Sequence, residues 1–297
     1  MSSPRYAILD DRALLSVAGP DARSFLQGLI SNDIEKATAS RGIYAALLTP
    51  QGKFLFDFLI VEQDGRLLFD AERGRRADLK KRLTFYKLRA KATIAEEDGL
   101  VVVAAFGDGA LERLALALDP GLAKPFGGGV AMTDPRIAAL GARLLVPRES
   151  LAVLEAAGFG TATAGDYDRW RLSLGIPDGS RDIEVEKGFL LESNFEELHG
   201  VDFDKGCYVG QELTARTKYR GVVRKRLMRV DVEGPLPAPG TLVLLGESEA
   251  GEMRSGRDGV GLALIRLEHW EQARSSGAPL VAGEAKLTPV KPAWAGF

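Results

Sequence analysis

Asp204-Lys205-Gly206-Cys207-Tyr208-Val209-Gly210-Gln211-Glu212 is the stretch on which the reading of this chain turns. Two glycines bracket the cysteine, so the backbone there can turn sharply or come close to another group. After Gly210, residues 211–218 have good helix propensity. That places Cys207 just ahead of a helix N-terminus, with Lys205 two residues away. Both features favour a thiolate over a thiol, and so a nucleophile or a metal ligand. The plain alternative is a small buried apolar residue, the common fate of a lone cysteine, and spacing alone slightly favours it.

The surrounding chain is long enough for two or three units, at 297 residues. With 45% apolar and 27% charged residues, and 34 glycines without a period, the composition is that of an ordinary globular protein. A net charge of −2 gives no global attraction to nucleic acid or to an anionic membrane. The single cysteine excludes an intrachain disulfide and a complete Cys₄ zinc or cluster site, and it fits a reducing compartment. Residues 1–6 lack the basic-then-apolar pattern of a signal peptide. No apolar run approaches the roughly 20 residues that span a bilayer, so no membrane contact is expected. Cytoplasmic location is the resulting expectation.

Working outward, residues 14–17 predict a strand, and Gly19-Pro20-Asp21 starts a helix with Phe25, Leu26 and Leu29 as its apolar stripe. Residues 44–49 and 54–61 predict two strands around Pro50-Gln51-Gly52-Lys53, a hairpin connection. A third strand is expected over 67–70, after the turn at Asp64-Gly65. A helix over 75–86 and strands over 91–95 and 100–106 follow. This is the pattern of an α+β sandwich with helices on one side of an antiparallel sheet. Residues 166–174 predict another helix, which Gly175-Ile176-Pro177 stops. Runs over 224–232, 241–245, 260–267 and 286–290 predict the short strands of a small β-barrel. A domain boundary is placed near Gly221, giving domains 1–221 and 222–297.

The run from Lys205 to Glu212, continued by Arg216 and Arg220-Gly221, resembles the signature of the YgfZ family. That family is related in fold to the T-protein of the glycine-cleavage system, a tetrahydrofolate-dependent aminomethyltransferase. Gly19-Pro20-Asp21, Phe25-Leu26-Gln27-Gly28 and Asn32-Asp33 resemble its N-terminal block. Leu48-Thr49-Pro50-Gln51-Gly52-Lys53 resembles its hairpin, and Gly175-Ile176-Pro177 lies where its central helix ends. The likeness covers most of the chain, most weakly over 98–160. It implies two α+β units around a central folate pocket, with a C-terminal barrel. It further implies a role in maturing [4Fe-4S] enzymes, including those that modify tRNA, beside A-type scaffold proteins. The thiol motif so implied is Lys205, Gly206, Cys207, Tyr208, Gly210, Gln211, Glu212 and Arg216. Cys207 would be a shared or transient cluster ligand, with a partner supplying the rest.

The same resemblance places Asp57, Tyr167 and Ser173 at a tetrahydrofolate pocket. Asp57 matches a T-protein carboxylate, although a strand register turning it to solvent is the alternative. Ser173 stands where T-proteins carry an acid that grips the pterin, and a hydroxyl cannot make that bidentate contact. Tyr167 falls near an aromatic position at the folate; ordinary helix packing is its alternative, as for Trp170. Lys218, Arg220 and Arg224, within a basic run ending at Arg229, are read as binding the folate's anionic tail. Such runs are usually solvated faces, and RNA phosphates are the other option, though only Tyr219 offers a stacking platform. A second basic group spans 73–82. His199 and His269 read as structural or exposed, and Gly127-Gly128-Gly129 as a flexible turn. The function expected is thus a folate-binding accessory protein for cluster assembly or repair. A one-carbon transferase acting through Asp57 is the first alternative, and an RNA-binding module the second.

Overall fold

Runs of buried strand-forming residues and tight glycine turns build two sheets over residues 5–161, antiparallel except where Arg5 and Tyr6 pair in parallel with Gly160 and Thr161. The computed structural model describes residues 3–297; Met1 and Ser2, the start of the N-terminal stretch read above, lie outside the described residues. In chain order the elements are β1 (Arg5–Ile8), β2 (Arg12–Ala18), α1 (Ala22–Gln27), β3 (Ile43–Leu48), β4 (Phe54–Gln63) and β5 (Arg66–Glu72). Next come α2 (Arg76–Lys87), β6 (Thr93–Glu97), β7 (Val101–Phe106), α3 (Ala110–Arg113), β8 (Ala123–Phe126) and β9 (Gly129–Thr133). They are followed by β10 (Ala142–Val146), α4 (Leu151–Ala156), β11 (Gly160–Thr161) and α5 (Ala164–Ser173).

Five strands form one sheet in the order β3-β4-β5-β2-β6, and six form another in the order β11-β1-β7-β10-β9-β8. The β4–β5 hairpin closes at Asp64-Gly65, both with positive φ (51° and 73°), the conformation a two-residue hairpin turn requires. Gly127 and Gly128 close β8 on β9 in the same way (φ 55° and 76°), so the glycine run is a tight hairpin rather than a loose loop. Helix α2 packs on β2 and β6 and buries Leu79 and Leu83. The six-stranded sheet carries its own core, with Val103, Leu144, Leu111 and Leu154 among its buried members. Residues 98–160, where the family likeness is weakest, supply that sheet's β7 to β10.

The second half adds α6 (Gln211–Arg220), β12 (Lys225–Glu233), β13 (Leu242–Leu245), β14 (Ser248–Arg257), β15 (Val260–Arg266), α7 (Leu267–Ser276), β16 (Leu280–Ala282) and β17 (Ala285–Val290). Its six strands close into a barrel, ordered β12-β15-β14-β13-β16-β17, around Met228, Val243, Met253, Ile265 and Leu287. Closure pairs every strand on both sides and leaves no sheet edge.

By chain contacts the molecule divides into two units. One comprises residues up to Leu48, Phe56–Tyr167 and Leu198–Val209; the other comprises Thr49–Leu55, Asp168–Glu197 and Gly210–Phe297.

Candidate functional site

Cys207 is the one thiol of the chain, and it is exposed. The buried alternative left open by spacing is therefore not its environment. Its neighbours are held firmly within the first unit. Lys205 Nζ donates to the carbonyls of Gln27 (2.5 Å) and Ile30 (2.8 Å), at and just beyond the C-terminal end of α1. Gln27 Nε2 returns a bond to the Lys205 carbonyl at 3.2 Å and another to Asp33 Oδ1 at 2.9 Å. The Val209 N–H donates to the Gly28 carbonyl at 3.1 Å. Tyr208 is buried, with the Lys205 ammonium 4.9 Å from its ring centre. Gly206 sits at φ 91°, a conformation that glycine takes without strain. The loop is pinned before and after the thiol, while the thiol itself faces solvent.

The ammonium of Lys205 is thus spent on helix-end carbonyls. Burial pushes it down to about 8, against the opposing pull of Asp33 and Asp202. The other proximity argument also changes, because Gly210 (φ 82°), not Cys207, is the cap of α6. Cys207 lies four residues before the first residue of that helix, outside the first turn where a helix dipole acts.

In the second unit the hairpin 49–53 meets the downstream half of the motif. A Cβ on Gly52 would lie 2.8 Å from the Gly210 carbonyl and 3.0 Å from Leu213 Cβ, so the two glycine-bearing turns touch backbone to backbone. Lys53 Nζ stands 3.2 Å from the centre of the Phe189 ring. Glu212 pairs with Arg216 on the exposed face of α6 at 2.5 Å. Lys218 pairs with Glu196, and Arg220 and Arg224 are exposed.

Asp57 and Tyr167 both enter a buried polar network of the first unit. Tyr44 donates its hydroxyl proton to Asp57 Oδ2 at 2.8 Å, and Asp57 is only 4% exposed. Burial, reinforced by the negative charge of Asp57, pushes the Tyr44 phenol well above its ordinary value, so it stays a donor. The Arg136 guanidinium lies 5.7 Å from the Tyr44 ring centre, pairs with Asp134 at 2.8 Å and donates to Tyr167 Oη at 3.3 Å. Arg143 donates to the same phenol at 3.3 Å and pairs with Asp70, which also binds Arg12. Burial opposes the Asp134 charge, but Arg136 and Arg143 outweigh it and hold the carboxyl below the usual range. His199, at φ 57° and exposed, is tied by Nδ1 to the Arg136 carbonyl (3.2 Å) and by its own carbonyl to Asn32 Nδ2 (2.7 Å).

Ser173 belongs to the second unit, where its hydroxyl donates to the Trp170 carbonyl of its own helix at 2.6 Å. Its neighbour Arg171, 2% exposed, is the centre there. It donates to Asp168 (2.8 Å), Asp182 (2.7 Å), the Ile176 carbonyl (2.9 Å) and Ser255 Oγ (2.8 Å). Sequence reasoning missed Tyr44, Arg136, Arg143 and Arg171. A charged residue inside a strand-forming or helical apolar run, such as Arg143 within 142–146, is the signal that could have found them. Each of the three residues expected at a pterin has a contact within its own unit: the Tyr167 phenol accepts from two arginines, the Ser173 hydroxyl donates within its helix, and Asp57 accepts from Tyr44. Among the described residues no three His, Cys, Asp or Glu side chains gather as a metal site.

An α+β body with a closed C-terminal barrel defines an aminomethyltransferase-T type of fold. The crystal structure of glycine cleavage system aminomethyltransferase T from Bartonella henselae superposes with a TM-score of 0.74 at 15% identity, covering 97% of this chain and 84% of that one. Residues 224–297 match the CAF17 C-terminal beta-barrel domain. The chain is 36% identical over 310 residues to the mitochondrial iron–sulfur cluster assembly factor IBA57 of Mus musculus, covering 96% of this chain and 84% of that protein. It is also 36% identical to the Homo sapiens protein of the same name, covering 86% and 76%. The chain belongs to the IBA57 family of iron–sulfur cluster assembly factors, within the broader YgfZ group that its motifs resemble. These relatives overturn the cytoplasmic expectation. Both are named as mitochondrial, so the plain N-terminal sequence was no basis for assigning a compartment.

Proposed function

We propose that this chain lends the Cys207 thiolate as one ligand to an iron–sulfur cluster whose remaining ligands come from a partner, either a scaffold or a client protein. The observation that carries this reading is the exposed thiol on a loop pinned at Lys205 and Val209. A cluster needs about four protein ligands, and a chain with one cysteine cannot supply a Cys₄ set. An exposed, oriented thiol can complete a shared set, losing its proton to solvent as it binds iron. Exchange of one thiolate for another then passes the cluster on with no net electron transfer. Relatives named as iron–sulfur cluster assembly factors support the same reading.

Aminomethyl transfer is the weaker alternative, because the residues expected to hold the pterin are committed to contacts within the protein. The test is the activity of a [4Fe-4S] enzyme in cells lacking this gene, complemented with wild type or Cys207→Ala. Wild type should restore activity and Cys207→Ala should not; full restoration by Cys207→Ala would sink the proposal.

A further inference from the structure

The C-terminal end of α6 exposes apolar and cationic side chains next to one another. Tyr219 is 68% and Val222 80% exposed. Val222 also lines a cavity of about 200 Å³, together with Phe189, Leu191, Leu213, Val223 and Arg224. Single exposed apolar residues are unremarked on most surfaces, but one that joins an apolar cavity is a different matter. The surrounding charge is not balanced either. Arg216 pairs with Glu212, Lys218 with Glu196, and Arg226 with Glu197. Arg220 and Arg224 have no acidic partner among the described residues.

We propose that this end of α6 docks an acidic segment of another protein, which seats one apolar side chain in the cavity while its carboxylates meet Arg220 and Arg224. Three observations choose that occupant. The cavity is smaller than the roughly 300–1,000 Å³ of small-molecule sites, and suits a side chain better than a cofactor. Its lining includes the half-buried carboxyl of Glu192. An anion entering the cavity would meet that group, so negative charge belongs at the rim and apolar atoms inside. A nucleic acid would want stacking platforms among the cations, and Tyr219 stands alone in that role. An apolar centre with a charged rim is also how protein interfaces are built.

Chain connectivity adds a reason for a partner to pass here. Gln211 is four residues beyond Cys207, so α6 begins within about 14 Å of it along the backbone. A protein sharing a cluster with Cys207, a step that rests on the function proposed above, would bind a residue joined to α6 by only three intervening residues.

The test is fluorescence anisotropy of the full chain with a fluorescein-labelled octapeptide of glutamates around one central leucine. Control probes replace the leucine by serine, or the glutamates by lysines, and a labelled oligouridylate tests for RNA. The leucine peptide should bind at least tenfold more weakly to Val222→Asp and to Arg220→Glu/Arg224→Glu than to wild type. The serine probe should lose at least fivefold, and the lysine probe should not bind. Val222 is on the surface, so its variant folds, and an unchanged melting curve checks this. Cys207→Ala should bind as wild type does, so a failed thiol hypothesis leaves this result standing. No binding of the leucine peptide, equal binding by Val222→Asp or by the serine probe, or tighter and steeply salt-dependent binding of oligouridylate would each overturn the proposal.

Discussion

Lys205 and Gln27 hold each other in both directions: the Lys205 ammonium donates to the Gln27 carbonyl at 2.5 Å, and the Gln27 amide donates to the Lys205 carbonyl at 3.2 Å. The residues between them in sequence number 177, yet both lie in motifs that resemble one family. The motifs coincide because they are two halves of one clasp. Its product is a backbone that cannot drift while the next-but-one side chain, Cys207, stays in solvent.

The clasp predicts a pH dependence. Lys205 is pushed down to about 8 from an ordinary 10.5, so between those values the unfolded chain binds more protons than the folded one. Stability contributed through this group is therefore constant below about pH 8 and rises as pH climbs toward 10.5. Lys205→Met removes that rise but also strands two carbonyls, costing about 1–3 kcal/mol near neutrality. Urea unfolding at pH 7.5, 8.5 and 9.5 should show the wild-type advantage growing with pH. An advantage that shrinks would mean the ammonium is not buried as described.

Gly52 tests the second flank of the motif. Alanine there would need φ near 75° and would place its Cβ 2.8 Å from the Gly210 carbonyl. The expected cost is about 1–3 kcal/mol, from left-handed strain plus the close approach. Gly28→Ala is the control, since a Cβ there meets nothing within 4 Å. Melting temperatures should fall for Gly52→Ala and barely move for Gly28→Ala.

How much of this was readable in advance depended on the period of the pattern. β3, β4, β12 and β15 announced themselves because β-branched, aromatic and leucine residues line their buried faces. β14 did not, since its inward positions include Ala250, Met253 and Ser255 rather than strand formers, and its bulge breaks alternation. Helix α7 was hidden behind the strand before it. For the site, the identity of Cys207 was legible and its exposure was not. Lys205 was read as a neighbour of the thiol from sequence distance, whereas its carbonyl partners lie at residues 27 and 30. The partners of Arg171 are likewise scattered, one of them 84 residues away.

Arg171→Met should be among the most damaging changes in the second unit. The guanidinium is 2% exposed and satisfies Asp168, Asp182 and Ser255 together. Removing it leaves two buried carboxylates short of their partner, a loss of about 3–5 kcal/mol. Burial opposes the Asp168 charge, yet Arg171, Arg181 and Arg257 hold that carboxyl below its usual range. Stability from Asp168 is thus present above the ordinary aspartate value and lost as pH falls through the lowered one. Chemical unfolding of the variant at pH 7 should show the deficit, with part of it vanishing at low pH; a deficit under 1 kcal/mol would contradict the network.

Because Cys207 is the sole thiol and is exposed, it can be followed without competition from other sites. Iodoacetamide should add one label per chain in the absence of denaturant. An exposed side chain has little packing to lose, so the label should change stability by less than about 0.5 kcal/mol and leave the melting temperature nearly unmoved. The labelled protein should nonetheless fail to retain a cluster when mixed with a cluster-loaded scaffold protein, read by visible absorption after gel filtration. If labelling needs denaturant, the thiol is buried and cannot be a shared ligand. If the labelled protein retains the cluster as well as the unlabelled one, the iron is held by other atoms and the role assigned to Cys207 falls.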